Sequence, residues 1–137
     1  MTVEVFKDEW KKFFDKISRE LYQWHTSIEV INPKSGRQTL TNKLSFVGIT
    51  AETNQNGQNQ IDLIIGESAN AHQTHIIRNP LKVSYLESEK LPGRLIAIES
   101  DGGIKTLVNL QKPPVKRTAF SDCQVPSITY WKIQNLL

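Results

Sequence analysis

Residues 7–24, KDEWKKFFDKISRELYQW, decide the fold. Trp10, Phe13, Phe14, Ile17, Leu21 and Trp24 recur at the spacing of one side of a 3.6-residue helix. Lys11, Lys12, Asp15, Lys16, Arg19 and Glu20 take the opposite side. Asp8 suits an N-cap, and Glu9 suits the positive end of the helix dipole, so the spacing predicts a helix from about Glu9 to Gln23. After Trp24 the apolar spacing changes to two, the period of a strand with one buried face. One aromatic-faced helix is therefore offered to a sheet, which would otherwise leave a face in water.

Outward from that helix, strand patterns cover residues 26–31, 38–52, 61–65, 73–77, 81–86, 95–99 and 104–110. Turn residues separate them: Asn32 to Gly36, the polar loop 53–60 around Asn56-Gly57, Gly66 to Ala71, Arg78-Asn79-Pro80, Leu91-Pro92-Gly93 and Asp101-Gly102-Gly103. Residues 38–52 carry apolar side chains on both faces in their second half, which predicts either a bend, with Gly48 a reasonable place for it, or cover on both sides. Pro113-Pro114 ends the sheet, since proline donates nothing to a ladder. The expected class is α+β: an N-terminal amphipathic helix packed on a curved antiparallel sheet, or small open barrel, of about six strands, plus a C-terminal appendage. At 137 residues the chain accommodates one ordinary domain, read as residues 1–111 with an extension over 112–137.

The ordered motifs WHTSIEV (24–30), VGIT (47–50), IDLIIG (61–66), HQTHIIRNP (72–80) and IESDGG (98–103) resemble those of a family of small bacterial proteins of unknown function. The likeness covers about Val3 to Gln111. It implies an N-terminal helix followed by antiparallel strands, and it brings no catalytic residues. The architecture also resembles Sm-like small barrels in shape alone, because the residues with which those bind RNA bases are not recognisable here.

Composition narrows the setting. Hydrophobic residues make up 38% and charged residues 23%, ordinary values for a globular chain. The opening MTVEVFKDEW holds acids and no apolar run, and no apolar stretch approaches the roughly 20 residues of a membrane helix, so a cytoplasmic protein without a signal peptide is expected. Seventeen Lys and Arg against fourteen Asp and Glu give a net charge of +3. Lys112, Lys116, Arg117 and Lys132 against Asp122 place all of that excess in the extension, so residues 1–111 sum to zero. A neutral body gives no compositional support to nucleic-acid binding.

Catalytic signatures are sparse. His72 and His75 are the close histidine pair, but on a strand they point to opposite faces. His25, Cys123, Glu67 or Asp62 could in principle complete a zinc set, yet no Cys-x-x-Cys accompanies them, so no metal and no cofactor is expected. Cys123 lies beside Asp122, which opposes thiolate formation. Glu29 and Glu99 sit inside apolar strands and, with His72 and His75, form the candidate polar site. SDGGIK lacks the spacing of a phosphate loop.

These readings favour a non-enzymatic binding or assembly module. The alternatives are an RNA-binding small barrel, for which only the basic and aromatic residues from Lys112 to Trp131 speak, and an enzyme with a site around His72 and His75. The extension ends in SITYWKIQNLL, and Tyr130, Trp131, Ile133, Leu136 and Leu137 are the candidate interface. So many apolar side chains need cover. The linker before them reaches far enough to exchange between copies, so a homodimer through this segment is expected, with no membrane partner.

Overall fold

The computed structural model describes residues 2–53, 55–67, 71–87 and 93–113, with the side chains of Asn42 and Lys43 outside the description. The expected turn at Leu91-Pro92, Cys123 and the whole candidate interface from Tyr130 to Leu137 lie outside the described residues. Within them, β1 (Thr2–Val5) precedes one turn of 3-10 helix at Lys7–Glu9, which runs into α1 (Trp10–Glu20). Then follow β2 (His25–Asn32), β3 (Gly36–Thr53), β4 (Asn59–Gly66), β5 (His72–Arg78), β6 (Pro80–Glu87), β7 (Gly93–Ser100) and β8 (Ile104–Gln111).

The helix is shorter than its pattern. It ends at Glu20, Leu21 closes it by donating its N–H to Ile17 O, and Gln23 turns the chain with a φ of 71°. Asp8 is not the cap: it falls inside the 3-10 turn, and Glu9 precedes the helix without a side-chain bond. Trp10, Phe14, Ile17 and Leu21 are buried as the stripe requires, while Phe13 is half-buried, edge-on to Tyr85 at 5.1 Å.

Every strand pairing is antiparallel, and the sheet order is β1-β6-β7-β8-β2-β3-β4-β5. The described sheet thus has eight strands, more than the six or so expected. The addition that the pattern did not reveal is β1, four mostly exposed residues held against β6 and by the Trp10 indole, whose Nε1 donates to Val5 O at 2.8 Å.

Curvature comes from two places. The first is β3, which pairs with β2 from Gly36 to Ser45 and with β4 from Ser45 to Thr53, with a register shift between Phe46 and Gly48. The strand therefore belongs to two half-sheets, β1-β6-β7-β8-β2-β3 on one side and β3-β4-β5 on the other. Beyond Ser45 the place of a neighbouring strand is taken by α1. Ser18 Oγ accepts the N–H of Ile49 at 3.0 Å and donates to its C=O at 3.1 Å.

The second is Asn79, the single residue between β5 and β6. Its φ of 52° is left-handed, a region that asparagine tolerates better than most residues. Its N–H donates to Asn59 O of β4, and its C=O accepts the N–H of Asp101 beyond β7. One residue thus ties the β5 edge of the second half-sheet to the first. Ile28, Phe46, Ile49, Leu63, Ile96, Ile98 and Leu110, all fully buried, fill the space between the halves and the helix.

Candidate functional site

The bend at Asn79 carries β5 across the inner face of the first half-sheet and leaves a groove alongside it. One end of the groove is a pocket of about 400 Å³. It runs from β5 (His75, Ile77, Arg78) to Val30 of β2, Ser100 at the end of β7 with Asp101 just beyond it, and Thr106 of β8. A second pocket, of about 120 Å³, lies between Ile28, Leu40 and Thr41 on one side and Gln73 to His75 on the other. His75 borders both.

Strand parity explains why His75 faces in. On β4, Ile61, Leu63 and Ile65 are buried, and their partners across the ladder are Ile77, His75 and Gln73. Burial holds the His75 imidazole below its ordinary value of 6.5, so at neutral pH it presents one donor and one acceptor nitrogen rather than a charge. Thr106 is 2% exposed, and among the described residues its hydroxyl has no hydrogen-bond partner. Ser100, also buried, donates its hydroxyl to Ile104 O at 3.3 Å and so closes the β7–β8 turn. Arg78 and Asp101 supply one charge of each sign at the rim.

The four residues of the expected polar site do not converge. His72 opens β5 opposite Gly66 and is exposed, three residues from His75 and on the other face of the strand. Glu29 alternates with the buried Ile28 and so lies on the outer face, where it ion-pairs with Arg37 at 3.3 Å. Glu99 also lies outside, opposite Lys82 and Lys105 in register. Of the four, only His75 lines the groove. Among the described residues no group of three His, Cys, Asp or Glu side chains is placed to hold a metal ion.

Sequence reasoning missed Thr106, Ser100, Arg78 and Asp101 as site residues. The available signal was the break at Asn79-Pro80, read only as an interruption of pairing, although it brings β5 against β7 and β8. A separate surface cluster was also missed. Arg94 lies over the Trp24 ring at 5.5 Å and ion-pairs with Glu87 at 3.2 Å. Burial and the nearby Glu87 raise the Tyr85 phenol above its usual value, against an opposing effect of Arg94.

With the geometry in place, the chain belongs to the family of unknown function DUF5335, which matches residues 1–118. Comparison with curated proteins and with solved structures finds no match. No described helix is long and apolar enough to cross a membrane.

Proposed function

We propose that this protein is a non-enzymatic binding or assembly module, acting in the cytoplasm, with the groove beside β5 as its binding site. The observation that carries this reading is the buried Thr106 hydroxyl, unpartnered among the described residues, lining a 400 Å³ pocket beside a neutral imidazole. Buried polar groups are ordinarily satisfied, so such a hydroxyl in a pocket of ligand size suits an incoming hydrogen-bonding group. Acid–base work would need paired groups: the carboxylates of Glu29 and Glu99 lie on the outer face away from His75, and no hydrogen bond or ion pair joins His75 to Asp101, which lines the same pocket. An RNA site would need a row of cations, and Arg78 is the one cationic side chain among the described residues lining the two pockets.

Two measurements test the proposal together. A screen of ester, phosphate and glycoside substrates, with metals supplied, should give no turnover. An NMR titration with small amides and short extended peptides should shift the His75 and Thr106 signals. Turnover abolished by His75→Ala would overturn the reading. We further propose that residues 1–111 form one domain and that residues 112–137 join two copies into a homodimer, through Tyr130, Trp131, Ile133, Leu136 and Leu137.

A further inference from the structure

The register of β5 shows what the groove is shaped to receive. Glu67 donates its N–H to Ala71 O, and Asn79 donates to Asn59 O. Both bonds fall on the alternate pairs of the β4–β5 ladder that exchange backbone hydrogen bonds, which makes Gln73, His75 and Ile77 the residues bonded to β4. The N–H and C=O groups of Thr74 and Ile76 consequently point away from β4, along the groove. No described strand pairs with that side of β5. Directly beyond it lies the inner face of the longer half-sheet, where Val30 and Ile104 are only partly buried. An open row of backbone groups above an incompletely covered apolar floor is the arrangement that accepts one more strand.

We propose that the groove takes residues 127–137 of a second copy of this chain as an added antiparallel or parallel strand on β5. This rests on the binding-module reading above and names its occupant. The segment SITYWKIQNLL has the required chemistry. In extended form Trp131 and Ile133 share one face, and a pocket of about 400 Å³ admits side chains of that size above Val30, Ile77 and Ile104. Residues 114–126 form a connection of thirteen residues, roughly 40 Å at about 3 Å each. The chain leaves β8 at Gln111, seven residues from Ile104, the end of β8 that borders the groove. That is about 24 Å of strand at ~3.4 Å per residue, so the connection covers the return path and also spans to a neighbour. Each copy offers one groove and one segment, so reciprocal exchange about a two-fold axis closes the assembly at two chains. The groove lies within residues matched by the family, and the occupant lies beyond residue 118, where that match ends.

Light scattering on the full chain at micromolar concentration tests the proposal, using two kinds of variant. Ile76→Pro removes an N–H that β4 does not use. Trp131→Asp combined with Ile133→Asp leaves the groove intact and spoils the segment. The unfolding midpoint of each variant verifies that it is folded, and the paired Asp variant keeps the test open if the proline does not fold. The expected result is two chains for the wild type and one for each folded variant, with a synthetic peptide of residues 127–137 in excess also converting the wild type to single chains. A wild type that is monomeric overturns the exchange, as does a dimer that persists in both variants. His75-dependent turnover is a different failure: it sinks the non-enzymatic reading and leaves the mass of the assembly as measured.

Discussion

Replacing Ser18 by Ala should cost more than removal of one oxygen atom suggests. Leu63 exchanges its backbone bonds with His75 on β5, so opposite it the N–H and C=O of Ile49 point away from β4. Along β3 the pairing with β2 has ended at Ser45, and no described strand stands on that side. Ile49 is fully buried, and Ser18 Oγ satisfies both of its groups, at 3.0 and 3.1 Å. Alanine fills nearly the same volume and leaves a buried donor and a buried acceptor without partners. Each such group costs about 1–3 kcal/mol when left unmade, and one water entering beside the helix would recover part. The expected loss is therefore about 2–3 kcal/mol. At a urea slope of roughly 1.5–2 kcal/mol per molar, the unfolding midpoint should fall by about 1–2 M. Ser35→Ala, at an exposed turn position, is the control and should stay within about 0.5 kcal/mol. Amide exchange should accelerate selectively at Ile49. A Ser18→Ala midpoint that matches the control would refute the view that the hydroxyl stands in for a strand.

Gly66→Ala should destabilise by about 1–3 kcal/mol by urea unfolding, because φ there is +152° and a Cβ would sit 2.5 Å from Ala71 O. At position 79, Gly should be tolerated within about 0.5 kcal/mol, whereas Val should cost about 1–2 kcal/mol in thermal unfolding, since the left-handed φ of 52° penalises a branched side chain. His75 gives a pH dependence of definite sign. Its folded value lies below the unfolded 6.5, so the unfolded chain binds the proton more readily, and stability should decline as pH falls below about 6.5 while staying level above it. His75→Gln should flatten that decline in urea midpoints taken between about pH 7.5 and 5.

How much of this was legible in the sequence depended on how local the signal was. The helix stripe could be read because Trp10, Phe14, Ile17 and Leu21 repeat at a period set by the helix itself, and seven strand patterns could be read for the same reason. β1 could not, because TVEV is short and mostly exposed, and its partner β6 lies some eighty residues along the chain. Gly48 was a sound place to expect a bend, since the register shift in β3 falls between Phe46 and Gly48. The site was largely illegible. Glu29 and Glu99 looked notable because they interrupt apolar strands, yet that interruption is what an outward-facing position on a one-sided strand looks like. Thr106 and Asp101 carry no local mark. They matter because Asn79 folds β5 over them, a long-range consequence of one left-handed residue.

Residue-resolved amide hydrogen exchange of the full chain at neutral pH tests most directly whether the groove beside β5 is a site that binds. Thr74 and Ile76 lie on a strand edge that no described residue pairs, and Ile76 is 41% exposed. An occupied groove predicts that both amides exchange slowly, at rates near those of His75 and Ile77 on the bonded side, and become fast in the Trp131→Asp, Ile133→Asp chain. Exchange at Thr74 and Ile76 as fast as in an unstructured peptide, in a full chain whose His75 and Ile77 amides stay protected, would show an empty edge and contradict the account.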